Sequence, residues 1–133
     1  MNHPDHPMNQ EKPIMSATTI DRAQPSSTPA GIVSPNGHAL LRMDGAPLPS
    51  ITIAMNKAFT AAREGKPTMD IGAKFKDRGY DFMWYGDGRY VGWGGGVPVL
   101  VNGKCVGAVA VSGLTQQEDH EIAGIGVSAI LKS

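Results

Sequence analysis

The chain has 133 residues, and its 12 basic and 12 acidic side chains cancel, so it has room for one domain and no global field to draw it onto phosphate backbones or anionic membranes. Its only cysteine, Cys105, excludes an internal disulfide framework and a cysteine-rich metal site. No apolar run approaches the roughly 18 residues of a membrane span and no basic-then-apolar leader opens the chain, so cytoplasmic residence is expected, with small molecules or protein surfaces as partners and neither nucleic acid nor membrane.

Residues 1–30 carry Pro4, Pro7, Pro13, Pro25 and Pro29 among Asn, Gln, Ser and Thr without a helical or strand period. They read as a flexible arm that a neighbouring subunit can order. His3 and His6 within it read as solvated, because unfixed metal ligands must be ordered at an entropic cost. The folded domain is expected to span residues 31–133. It opens with a β-hairpin in which Ile32 and Val33 lead into the turn Ser34-Pro35-Asn36-Gly37, whose Asn-Gly pair tolerates positive φ, and His38 to Met43 return. Asp44-Gly45 and the pair Pro47 and Pro49 end that strand.

Ser50 is the expected N-cap of a helix running to Glu64 and broken by Gly65. Ile51, Ala54, Met55, Ala58, Phe59 and Ala62 form its expected buried stripe, with Thr52, Asn56, Lys57, Thr60 and Arg63 off it. Thr68 is expected to cap a short helix reaching Lys76 and closed by Gly79. Tyr80 to Trp93 is aromatic-rich and interrupted by Gly86, Gly88 and Gly92, so a strand-like or irregular passage is expected. A second hairpin follows, Val97 to Val101, the Asn102-Gly103 turn and Lys104 to Val111, apolar on both faces as strands covered on both sides are. Thr115 and Glu118 form a capping box for a last helix from Gln116 to Leu131, with Ile122, Ile125, Gly126, Ala129 and Ile130 as its expected buried stripe. This order predicts an α+β domain, an antiparallel sheet with helices packed on it.

Several residues are candidates for chemistry. Gly94-Gly95-Gly96 can offer successive N–H groups to an anion or bring a flat ligand close to the backbone; it can equally be a bulge or bend at a sheet edge. It precedes a strand, so it is not a dinucleotide fingerprint. Arg42 at a strand end and Lys57 in the next helix can clamp carboxylates together; alternatively Arg42 pairs with Asp44 and Lys57 is solvated. Asp119 lies in the first turn of the last helix, where the dipole stabilises an acidic group with or without a catalytic role. His38 and His120 are candidates for iron ligation or proton transfer near neutral pH, or simply face solvent. Ser112-Gly113 lacks the frame of a nucleophile elbow and reads as structural. No zinc spacing, His-Glu-x-x-His or phosphate loop occurs, and no metal site is expected.

The stretches Arg42-Met-Asp-Gly-Ala-Pro-Leu-Pro-Ser-Ile, Asn56-Lys-Ala-Phe-Thr-Ala, Gly94-Gly-Gly-Val-Pro-Val and Asn102-Gly-Lys-Cys-Val-Gly-Ala-Val-Ala-Val-Ser-Gly-Leu-Thr-Gln-Gln-Glu-Asp119-His-Glu-Ile-Ala resemble, in order and spacing, the GlcG/HbpS-like or haem-degrading domains. The resemblance covers residues 31–131. It implies a profilin-like fold with α/β/α layers, homo-oligomers, and haem or another planar anionic ligand held by a carrier, sensor or slow degrader. Other members sit beside catabolic enzymes. Arg42, Asp44, Lys57, Gly95, Gly96 and Asp119 match the family's recurrent polar and glycine positions. Family members usually begin with a helix ahead of the first strand, where this chain has its proline-rich arm, so the arm, another subunit or a ligand must cover one sheet face.

Three functions are compatible with this reading. In the first, haem is bound with Arg42 and Lys57 pairing its propionates and with His38, Met43, Met55 or His120 as candidate iron ligand. In the second, a cofactor-independent hydrolase, lyase or isomerase acts on a carboxylated metabolite: Arg42 or Lys57 holds the carboxylate, N–H groups near Gly95 polarise a carbonyl, and Asp119 or His120 moves a proton. In the third, the protein is a non-catalytic oligomeric accessory.

Overall fold

A computed structural model describes the backbone of residues 17–22 and the whole of residues 39–133. Four strands, β1 (Ala17–Arg22), β2 (Ala39–Arg42), β3 (Gly96–Val101) and β4 (Lys104–Ser112), form one antiparallel sheet in the order β2-β1-β4-β3. Helices α1 (Pro49–Glu64), α2 (Thr68–Arg78) and α3 (Gln116–Leu131) pack against it, and a 3-10 turn occupies Phe82–Tyr85. This is the α+β arrangement expected.

Strand β4 organises the layers. From Gly107 to Ser112 every residue is buried, and side chains on a strand alternate between faces. Ala108 and Ala110 meet Ala58 and Ala61 of α1, whereas Val109 and Val111 meet Val99 together with Ala123 and Val127 of α3. The two long helices therefore lie on opposite faces. The alanine face permits a close approach: a Cβ on Gly96 would stand 2.5 Å from the Lys57 carbonyl oxygen. The valine face carries more of the hydrophobic stabilisation, about 1.5–3 kcal/mol for each fully buried side chain of that size.

The β3-β4 hairpin turns on Asn102 (φ 51°) and Gly103 (φ 76°), the paired positive φ values that an Asn-Gly turn favours. Thr115 caps α3 by accepting the Glu118 N–H at 3.3 Å. Gly65 and Gly79 close α1 and α2 in left-handed conformations. Among the described residues no helix is long and apolar enough to cross a membrane.

Three expectations need correction. Ala17–Arg22, assigned to the arm, is an inner strand paired with both β2 and β4; Thr and Ile suit a strand, but the prolines around them masked the signal. The expected Asn36-Gly37 turn, with Ile32 and Val33, lies outside the described residues, and β2 pairs with β1. Ser50 is not the N-cap: Leu48 is, Pro49 takes the first turn where a missing N–H costs nothing, and Ser50 is buried. The helix stripes also differ. Lys57 is buried and Met55 exposed on α1, while on α3 Asp119, Ala123 and Val127 are buried and Ile125 and Ala129 are exposed.

Candidate functional site

Lys57 and Asp119 join the two helical layers across the end of the sheet. The Lys57 ammonium donates to Asp119 Oδ2 at 3.1 Å and to the Val111 carbonyl at 3.0 Å, while Asp119 Oδ1 accepts the Leu114 N–H at 3.1 Å. The side chains are only 3% and 2% exposed, so their charges are paired and hydrogen-bonded as burial demands. Burial pushes the Lys57 pKa below its ordinary value, and the Asp119 carboxylate opposes that shift. A lysine next to a carboxylate can exchange a proton, but both groups are closed off from solvent here.

The glycine run makes room for this strut. Gly95 has φ 128°, and a Cβ there would press on the Val111 carbonyl and stand 2.9 Å from both Lys57 Nζ and Asp119 Cβ. Three of the run's polar groups are used within the fold. Gly94 N–H donates to Gln116 Oε1 at 2.9 Å, Gly95 O accepts the Val111 N–H at 2.9 Å, and Gly96 N–H donates to Thr68 Oγ1 at 2.9 Å. Thr68 in turn donates to the Trp93 carbonyl at 2.7 Å.

Lys57, Gly95, Gly96 and Asp119 thus come together. Arg42 donates to the Ala46 carbonyl at 2.7 Å. It is level with Ala17, which is also level with Ser112, so Arg42 stands two strand spacings, about 10 Å, from the β4 end that Lys57 reaches. Asp44 is exposed in the turn after β2, and Met55 is 40% exposed on α1. His120 is half-buried, with its Nδ1 buried and lacking a hydrogen-bond partner. His38 lies outside the described residues. Met43 is exposed beyond β2.

A second locale escaped sequence analysis. Tyr80 to Trp93 contains a single 3-10 turn, started by Asp81, whose Oδ1 accepts the Met83 N–H at 2.8 Å, and ended by Gly86 at φ 67°. This turn folds its aromatic side chains onto Phe75 of α2. Phe75 stacks on Phe82 with centroids 4.2 Å apart and lies edge-to-face with Tyr80 at 5.7 Å; Tyr85 stacks on Tyr90 at 4.1 Å, and Tyr90 meets Phe59 of α1 edge-on. Phe75, Tyr80, Asp81, Trp84 and Tyr85 line an open cup of about 190 Å³ with apolar walls. Trp84 is 77% exposed.

Cations gather on the ring faces, as the aromatic quadrupole favours. The Arg89 and Arg63 guanidinium carbons lie 4.0 and 5.2 Å from the Phe59 centroid, and that of Arg78 lies 6.0 Å from the Tyr80 centroid. Arg89 also donates twice to Asp87 and lowers its carboxyl to a pKa of about 2. Burial, reinforced by Glu64 and Tyr90, raises the Tyr85 pKa. Aromatic density between Phe75 and Tyr90 was the only clue to this cup, and it has no period that separates a surface cluster from a strand.

Comparison with known proteins gives a concordant picture. Residues 17–128 match the family model described as haem degrading protein HbpS-like. The chain is 38% identical over 96 residues to an uncharacterized 15.0 kDa protein of the dhaT-dhaS intergenic region of Citrobacter freundii, covering 69% of this chain and 68% of that one. In structure it is similar to HbpS, at TM-score 0.66 and 24% identity over 87% of this chain and 74% of that one. It is also similar to a PduOC:heme complex, at TM-score 0.67 and 24% identity over 85% of this chain and 76% of the other. Klebsiella pneumoniae ORFY superposes at TM-score 0.64 and 27% identity, covering 85% and 74% of the two chains.

Proposed function

The chain belongs to the HbpS-like family, and on that footing we propose that it binds haem or a closely related planar tetrapyrrole. The observation that carries this reading is the aromatic cup, an open apolar concavity beside an arginine in a fold shared with a haem complex.

The two locales differ in fit. Beside Lys57 and Asp119 a single added methyl group on Gly95 would already collide, and the ammonium is committed to its carboxylate, so that locale does not fit a macrocycle. The cup fits better. Phe75, Tyr80, Trp84 and Tyr85 supply ring faces and edges for stacking, and Arg78 supplies a cation for a propionate. Pockets that enclose drug-sized ligands run to about 300–1,000 Å³, so a cup of about 190 Å³ takes an edge of the macrocycle. A second copy of the chain is the proposed cover for the rest, and a cytoplasmic setting accompanies the reading.

Bound haem would supply a redox-active iron. The residues of the cup would bind and orient the ring, as a carrier or sensor requires. Titrating the protein with haemin is the test. A saturable Soret band at one haem per chain is expected, weakened about fivefold or more by Trp84→Ala through loss of stacking. A flat titration would end the reading.

A further inference from the structure

The walls of the cup and the single charge in its lining have different preferences, and together they select a ligand edge. Four of the five lining residues, Phe75, Tyr80, Trp84 and Tyr85, present aromatic surface, and the fifth, Asp81, is a carboxylate. Asp81 is held in place because its Oδ1 accepts the Met83 N–H that opens the 3-10 turn. A ligand carboxylate entering the cup would be desolvated against apolar walls and repelled by Asp81. None of the lining residues is a histidine, cysteine or methionine, the usual axial ligands of haem iron together with tyrosine. Of the two tyrosines, Tyr85 is tied to Glu64, and its phenol is biased toward the protonated form, a poor ligand.

Resting on the tetrapyrrole reading, we propose that the cup recognises the carboxylate-free edge of a porphyrin, whatever metal the ring holds. Haem suits this because its propionates share one edge and the opposite edge bears only methyl and vinyl groups. The propionates then point out of the cup toward the side where Arg78 overlies Tyr80. A porphyrin with a carboxylate on every pyrrole ring has no such edge and is excluded.

The experiment titrates the full chain with haemin, metal-free protoporphyrin and coproporphyrin, following porphyrin absorbance and tryptophan quenching. Haemin and metal-free protoporphyrin should bind within about threefold of each other, and coproporphyrin about tenfold or more weaker, a difference of about 1.4 kcal/mol. In Asp81→Asn, which keeps the capping oxygen and removes the charge, the gap between protoporphyrin and coproporphyrin should narrow. Haemin binding without metal-free protoporphyrin binding would mean that iron ligation dominates, and would overturn the inference while leaving the haem reading intact. Equal binding of coproporphyrin, or a gap unchanged in Asp81→Asn, would also overturn it. Failure of all three porphyrins to bind would remove the haem reading itself.

Discussion

Lys57 shows how the environment of a candidate residue can be misjudged from sequence. The stripe drawn through the larger apolar residues of α1 put Lys57 on the solvent side, but the face that meets the sheet runs through Ser50, Ala54, Lys57, Ala58 and Ala61. Those small residues sit at helical spacing too, and their alanines let α1 approach until the lysine stem is buried and its head meets Asp119. Because breaking a buried pair strands the remaining charge, Lys57→Ala should cost about 3–5 kcal/mol, and Lys57→Met with Asp119→Leu should recover much of it; urea denaturation measures both. The pH dependence has a definite sign. The folded-state pKa of Lys57 is below its ordinary 10.5, so the unfolded chain binds more protons between those values and stability rises with pH there. Relative to the double variant, the wild type should gain stability as pH climbs toward 10.5 and level off above it. Gly95→Ala is expected to be worse than Gly45→Ala. Both need positive φ, costing about 1–2 kcal/mol, but a Cβ on Gly45 meets nothing within 4 Å, whereas one on Gly95 meets the strut itself.

Among the elements, the β3-β4 hairpin and α3 were legible because their signals are local: an Asn-Gly turn, a Thr cap, and apolar runs of the right length. The rotation of α3 about its axis was not. Ile125 is 70% exposed while Ala123 and Val127 are buried, because the valine face of β4 fills the interface and leaves room for small residues opposite it. Ile125→Ser should therefore change stability by no more than about 0.5 kcal/mol, and Val127→Ala should cost about 2 kcal/mol from lost burial and a residual cavity. Thermal melts of the two variants separate these outcomes. Strand β1 was missed for the opposite reason. Its six residues lack a strong local signal, and only pairing with β2 on one side and β4 on the other makes them a strand.

At the scale of the whole molecule, β1 joins β2 to the rest of the sheet. A chain starting at residue 17 keeps every described strand and should melt cooperatively; one starting at residue 23 loses the strand between β2 and β4 and should not. Circular dichroism melts of the two truncations test this. The sequence by itself determined the α+β class, the order of most elements and the family, since each of these rests on local spacing or on motifs; Lys57, Gly95 and Asp119 were named in it as a group of candidates. Only the tertiary structure decided that the group is a buried strut and that an aromatic cup opens elsewhere. The strut joins residues far apart in the chain, Lys57 with Asp119, and the cup, though lined within residues 75–85, depends on a 3-10 turn folding back onto α2, which no local period records. Burial of a charge and stacking of rings are properties of the space between elements, and that space exists only once the helices have settled on the two unlike faces of β4.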